Sequence, residues 1–373
     1  MNSLFLVSGE ISGDIHGSAL LRALAESGEW QFAGLGGPRM EEVSGQIENW
    51  LDEAAVLGLW EVLKKCGYFK NKLNETVSRI LRRKPDGIVL IDYPGFNLRL
   101  AKRLRRKGYQ GKLIYYISPQ VWAWKKGRIK TMSELLDLMI CIFPFEKKLY
   151  KDSGLATEFS GHPLVDEMEK LTNDSLVRDP KLVGLLPGSR EREIEKLFPP
   201  MLGAAALLLK QFPDLRFATS GATSPLAQRL RRMVNEAGLS GSVEVGESNS
   251  HDIMQTAGVG VVASGTATLE AACLGLPYCL TYKVAWLTAL AARRLMRVNY
   301  LGIVNIMADR EIITEVLQDQ ASPEGIAEAL VDLLASEDKR SQLQSDLAEV
   351  VKTLGEGGAH ENAARIISRI WKN

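Results

Sequence analysis

Short apolar runs rich in Val, Ile, Leu and Phe recur along the chain. Each is closed by Gly, Pro, Ser or Asp and followed by a stretch with helical spacing. The first set is LFLVSG, QFAGLGG, GIVLIDYPG, KLIYYISP and DLMICIFPF. After Pro163 the rhythm restarts with LVGLLPGS, RFATSG, SVEVG, GVGVVASG and PYCLTY. Continuous apolar runs between turns suit strands buried on both faces, and helices between them suit a parallel sheet. The alternation predicts an α/β protein of two doubly wound domains, over 1–170 and 181–345. The polar stretch LTNDSLVRDPK, Leu171–Lys181, is the expected linker. The end of the chain reads as an amphipathic helix through Ala363, Ile366, Ile367, Ile370 and Trp371. The segment 346–373 either crosses back to the first domain or packs on a second subunit, which leaves a homodimer open.

A length of 373 residues suits two domains, and 46% apolar with 24% charged residues is a globular balance. The formal net charge of +1 gives no argument for nucleic acid. Cys66, Cys141, Cys273 and Cys279 form no CxxC pair, as expected of thiols in a reducing compartment. The N-terminus has no basic stretch leading into a long apolar one, and no apolar run approaches the ~18 residues of a membrane span. A cytoplasmic protein is expected.

In open parallel sheets ligands bind beyond the carboxyl ends of the strands, so the residues just after each apolar run matter most. LLPGSREREI has Gly188 where a ligand can approach the backbone, a helix start whose free N–H groups attract anions, and Arg190 as a fork for phosphate. Glu191, Glu193 and Glu195 oppose an anion, so they are expected to turn outward while Arg190 faces the ligand. A helix capped by Ser189 beside a solvated Arg fits the same residues. ASGTATLE repeats the arrangement with Ser264, Gly265 and Thr266, and Glu270 is placed to accept hydrogen bonds from ribose hydroxyls. A cap from Ser264 or Thr266 is the plainer alternative. Two anion-friendly helix starts suggest a nucleotide diphosphate. No GxxxxGK[ST] loop occurs, and Pro38 breaks GLGGP as a dinucleotide fingerprint.

The first half carries a different set. VSGEISGDIHG is a Gly/Ser-rich turn with Glu10, Asp14 and His16. LIDYPGFN puts Asp92 at a strand end, as a general base or a turn cap. ISPQVWAWKKGR sets Trp122 and Trp124 among four cations, Lys125, Lys126, Arg128 and Lys130, which is more usual at an interface than in a core. His162 in GHP is expected to reach the gap between domains or to be structural. No DxD pair occurs and the four histidines are scattered along the chain, so neither metal nor cofactor is indicated. RLAKRLRRKGYQGK is basic without an acid, and Val56–Leu73 has an apolar stripe with Trp60 beside it. These fit contact with anionic lipid, with Trp60, Leu63, Arg103 and Arg106 as candidates, or an ordinary packed helix with a solvated face.

VSGEISGD, GGPRM, IDYPGFN, SPQVWAWKKGR, FPFEKKLY, GHPL, LLPGSREREI, ASGTATLE and GIVNIMADRE stand in the order found in one family. The chain resembles the lipid-A-disaccharide synthases of lipopolysaccharide assembly, over nearly its whole length. The resemblance implies a GT-B fold, two Rossmann-like domains with an interdomain cleft. It implies an inverting, metal-independent transferase that joins UDP-2,3-diacylglucosamine to 2,3-diacylglucosamine 1-phosphate through a β-1,6 linkage and releases UDP. The protein would then attach peripherally to the inner face of the inner membrane. Asp92 matches the base. Gly188, Ser189, Arg190, Ser264, Gly265, Thr266, Glu270 and Asn305 form the nucleotide side. Ser12, Gly13, His16, Trp122 and His162 form the acceptor side or cleft. Gly95 stands where some members carry Asp, and Lys125 where some carry Arg. A UDP-N-acetylglucosamine 2-epimerase or MurG-like transferase of the same fold is the rival enzyme, and a nucleotide-sugar-binding or lipid-tethering protein without turnover is the non-enzymatic rival.

Overall fold

The computed structural model describes residues 2–51, 66–122, 127–284 and 299–371. The chain forms two compact units. One joins Met1–Pro163 to Leu354–Asn373, and the other is Leu164–Thr353.

In the first unit the order is β1 Asn2–Val7, α1 Ile11–Ser27, β2 Trp30–Gly36, α2 Pro38–Val43, β3 Ile47–Asn49, α3 Cys66–Arg83 and β4 Gly87–Ile91. Then come α4 Pro94–Arg106, β5 Lys112–Tyr116, α5 Arg128–Leu135, β6 Leu138–Cys141, α6 Pro144–Tyr150 and β7 Thr157–Phe159. The strands lie in the order β3-β2-β1-β4-β5-β6-β7, all parallel. Alternate side chains of each strand feed opposite layers, as the twofold strand period demands. Phe5, Val7, Ile88, Leu90, Leu113 and Tyr115 enter one apolar cluster, packed with Phe96 and Leu100 of α4. Leu4, Leu6, Val89, Ile91, Ile114 and Tyr116 enter the other, with Leu20 and Leu24 of α1.

The second unit continues with α7 Pro163–Leu171, β8 Asp179–Leu186, α8 Glu191–Gln211, β9 Arg216–Gly221, α9 Ser224–Glu236, β10 Val243–Glu247 and α10 Ser250–Thr256. It closes with β11 Ala257–Ala263, α11 Thr266–Cys273, β12 Tyr278–Tyr282, α12 Ile303–Ala308, β13 Glu315–Leu317, α13 Pro323–Ala335 and α14 Glu337–Lys352. Its parallel sheet runs β10-β9-β8-β11-β12-β13. In each sheet the strand order reverses beside the first strand, between β1 and β4 and between β8 and β11. Those are the switch points where helices diverge and a crevice opens beyond the strand ends.

The stretch read as a linker is tied into the second unit: Arg178 donates to Met254 O at 3.0 Å and Leu274 O at 2.8 Å, and β8 already starts at Asp179. A division at 345/346 would cut α14, because Leu343, Leu347 and Val350 pack as one helical face of the second unit. The final helix, α15 Ala359–Arg369, belongs to the first unit, where Ala363, Ile366 and Ile367 join the α1 side of the core.

Candidate active site

β4 delivers its next residue into a strained turn. Asp92 and Tyr93 have φ of 43° and 47°, and Ile117 after β5 has 67°. Such backbone costs a non-glycine residue about 1–3 kcal/mol and persists only where its surroundings enforce it. Here Asp92 N donates to Tyr116 O at 3.0 Å, while Asp92 O accepts from the Tyr115 hydroxyl at 2.5 Å and Asn97 Nδ2 at 2.7 Å. The Tyr93 ring lies so close to Gly9 that a Cβ there would sit 2.3 Å from it, so the VSG turn requires glycine. Asp92 thereby lines a cavity of about 290 Å³ with Ser118, Gln120, Arg128, Phe143 and Glu146. Burial, with the Glu10 charge adding to it, pushes Asp92 up to about 6, against a hydrogen bond from Tyr93 N–H. A carboxylate with that value is a competent base near neutral pH.

The other residues expected on the acceptor side divide. Ser12 is exposed in the first turn of α1, after Glu10, which makes no side-chain cap. Gly13 is buried against Ser8, where its size permits the approach. His16, Trp122 and His162, expected on the acceptor side or in the cleft, are not among the residues that line the Asp92 cavity. Trp122 is 8% exposed rather than at an interface, packs edge-on against Phe145 and donates from Nε1 to Glu146 Oε1 at 3.2 Å. The His162 ring packs against the Phe143 ring, with centroids 4.8 Å apart. Three of the four histidines converge in space, with the His16 and His360 rings 5.5 Å apart, His162 close enough to feel the His16 charge, and His360 Nδ1 2.9 Å from the Tyr116 hydroxyl. Burial pushes His16 and His162 down to about 4, helped by His360 in the first case and His16 in the second. Among the described residues no group of three metal-ligating side chains is placed to hold an ion. Asp14 accepts from Gly37 N, Arg39 N and Met40 N at 2.9–3.1 Å, so it caps α2 and fastens VSGEISGD to GGPRM.

In the second unit, Gly188 follows β8 with φ of 104°, and α8 starts at Arg190 without a side-chain cap, so Ser189 is not the cap. The Arg190 side chain is 82% exposed and its Nη1 pairs with Glu193 Oε1 at 2.9 Å. Glu193 does not turn away as expected. Its Oε2 accepts Arg190 N–H at 3.4 Å and would touch a Cβ at Gly188 at 2.4 Å. The acid satisfies the helix start in place of a hydroxyl cap. Glu191 and Glu195 do turn away, both onto Arg229. At the facing switch-point strand, α11 starts after Ser264 at Gly265, again without a side-chain cap, and Thr266 opens the helix. Glu270 accepts from His251 Nε2 at 3.0 Å. That hydrogen bond pushes His251 up, and nothing in the sequence spacing pointed to it. Asn305, expected on the nucleotide side, is engaged within the protein. It is 0% exposed, its Nδ2 donates to Ile313 O and Glu315 Oε1, and its Oδ1 accepts from Ile312 N and Ile313 N. All its bonding capacity is spent holding the segment that leads into β13.

These strand-end motifs coincide with a family pattern. Residues 4–370 match the model of the family described as lipid-A-disaccharide synthetase. The chain belongs to the lipid-A-disaccharide synthase family. It is 39% identical to the lipid-A-disaccharide synthase of Geobacter sulfurreducens over 98% of this chain and 96% of that one. For the Coxiella burnetii synthase the values are 35%, 99% and 98%. Among solved structures, MurG of Acinetobacter baumannii superposes with a TM-score of 0.59 at 13% identity, covering 99% of this chain and 100% of that one. The UDP-GlcNAc 2-epimerase of Neisseria meningitidis bound to UDP-GlcNAc gives 0.58 at 13%, with both chains fully covered. At such identity the likeness is one of fold, and the fold is GT-B.

The candidate lipid contacts of this family member are partly visible. Trp60 and Leu63 lie outside the described residues. Arg103 is half-buried and donates to Asn74 of α3, whereas Arg106 is exposed with Arg99, Lys102 and Lys107 on the acid-free α4. No described helix is long and apolar enough to cross a membrane.

Proposed function

We propose that the chain is an inverting hexosyltransferase joining UDP-2,3-diacylglucosamine to 2,3-diacylglucosamine 1-phosphate, with β-1,6-linked disaccharide 1-phosphate and UDP as products. The observation that carries the mechanism is Asp92, a carboxylate raised toward neutrality in a walled cavity at the first sheet's switch point. Asp92 takes the proton of the acceptor's 6-hydroxyl. The freed oxygen attacks the anomeric carbon from the face opposite UDP, the new C–O bond forms, and the bond to the diphosphate breaks. Charge on departing UDP is met by Arg190, by the uncapped start of α11 and by N–H groups of the α8 start once Glu193 yields its place. For Arg190 to reach phosphate it must exchange its Glu193 partner, an exposed ion pair worth only about 0–1 kcal/mol. Glu270, oriented by His251, is assigned to ribose. Family membership and fold-mates solved with UDP-GlcNAc support a UDP-sugar donor. The exposed cations of α4 are assigned to anionic lipid headgroups, which keeps the acylated substrates near the cavity.

The test is an assay with both purified acylated substrates, reading disaccharide by mass. Asp92→Asn should cut turnover by about 10²–10⁴-fold while UDP binding is retained. Near-normal turnover in that variant would remove Asp92 as the base. Conversion of UDP-GlcNAc alone to its epimer would replace the whole reading with the epimerase.

A further inference from the structure

Glu146 is the third residue of α6, and part of its work is local. Its Oε2 accepts Phe143 N–H at 3.3 Å and closes the helix start. A glutamate with that role alone sits hydrated and charged at the surface. This one is 1% exposed and lines the cavity that contains Asp92. Its remaining donors are neutral: Trp122 Nε1 at 3.2 Å, the Ile142 N–H, and Ser118, whose hydroxyl is 2.7 Å from that of Tyr150. Among the described residues no Lys, Arg or His forms an ion pair with it. A few neutral donors do not offset the burial of a carboxylate, and burial pushes Glu146 up to about 8. The ionisable groups around it are Asp92 beyond β4, Arg128 at the start of α5, Cys141 at the end of β6 and Tyr150 in its own helix. Cys141 and Tyr150 are pushed up by burial and stay neutral, and beyond them Lys147 pairs with Glu158 at 3.3 Å. Lys125 and Lys126 lie outside the described residues.

We infer that Glu146 is an acceptor-binding residue, which keeps its proton in the working enzyme and donates it as a hydrogen bond to an oxygen of the acceptor's sugar-phosphate head. The inference rests on reading the Asp92 cavity as the acceptor site. A buried acid held neutral to serve as a donor is an established way of placing a strong hydrogen bond without adding charge. It suits a cavity that receives an anionic substrate and already holds Asp92. Ionisation of Glu146 would remove the donor and set a second negative charge against both.

The experiment is initial-rate kinetics of the full-length enzyme from pH 6 to 9.5 with purified UDP-diacylglucosamine and diacylglucosamine 1-phosphate in mixed micelles. For the unaltered enzyme, KM for the acceptor should climb about tenfold per pH unit above about 8 while KM for the UDP-sugar stays level. Glu146→Gln, which still donates but cannot ionise, should abolish that climb, whereas Glu146→Ala should hold acceptor KM level with pH, about tenfold above the value of the unaltered enzyme at about pH 6–7. The same climb in Glu146→Gln, or a climb in the donor KM instead, overturns the inference. An infrared readout of the unaltered enzyme does not depend on the variants folding. A protonated-carboxyl band should titrate near pH 8 and move when diacylglucosamine 1-phosphate is added, and an unmoved band overturns the inference. Failure of the unaltered enzyme to form disaccharide would sink the transferase reading itself.

Discussion

Asp92 shows how much a single position gives up for its chemistry. It occupies left-handed backbone, which Asp and Asn tolerate better than most residues, and its carboxyl is largely desolvated with the Glu10 charge adding to that burden. Its folded-state value lies above its ordinary one, so the fold prefers the protonated form. The associated stability is present below about pH 4 and is lost as pH rises through about 6. At neutral pH the ionised side chain costs about 1–3 kcal/mol. Asp92→Asn should therefore raise the melting temperature by a few degrees at pH 7.5, and by nothing measurable at pH 4, in thermal melts of the two proteins. A variant that loses both activity and stability at pH 7.5 would mean that the carboxylate holds the turn rather than straining it. At this scale the sequence was legible where a side chain follows directly from a strand end, as with Asp92 and Gly188. It was silent where a side chain's partners come from elsewhere. Trp122 and Asn305 lie in conspicuous motifs, and their hydrogen bonds go to Glu146 and to the segment before β13.

At the scale of elements, the strand–turn–helix units carry the site. The turn after β8 needs Gly188 twice over, for its φ of 104° and for the Glu193 carboxylate that a Cβ would meet at 2.4 Å. Gly188→Ala should cost about 1–3 kcal/mol of stability and weaken UDP binding at least tenfold by titration calorimetry. Unchanged UDP affinity in a folded variant would remove this turn from the nucleotide site. The first βα unit illustrates the opposite lesson. VSGEISGD has the composition of a ligand loop, but its buried Asp14 serves the start of α2, satisfying N–H groups that helix geometry leaves open. Composition of a turn marks where backbone is tightly placed, and only geometry separates a turn that faces a ligand from one that faces another helix.

For the molecule as a whole, the first unit is closed by the end of the chain. α15 supplies Ala363, Ile366 and Ile367 to its core and His360 to the cluster around His16. His16 and His162 are held neutral, with folded-state values lowered to about 4. The unfolded chain takes up these protons near pH 6.5, so their stabilising share is complete above that pH and is lost as pH falls toward 4, by about 2–3 kcal/mol each at most. Asp92 changes in the opposite sense over part of this range and offsets some of the loss. Melting temperatures measured from pH 7 to 4 should fall, and His16→Gln should flatten the decline. An equal slope in that variant would mean that His16 titrates normally in the folded protein.

The sequence by itself determined the two parallel α/β domains, the restart near Pro163 and the strand-end positions of Asp92, Gly188 and Gly265. These follow from local rules: buried strands read as unbroken apolar runs, and chains leave parallel strands through turns of small residues. Only the tertiary structure decided which polar groups meet. Glu146 in one cavity with Asp92, His251 on Glu270, Glu193 across the Gly188 turn and three distant histidines in one cluster all depend on strand order and burial. Proton affinity and hydrogen-bond satisfaction are set by what surrounds a group in space, and spacing along the chain does not carry that information.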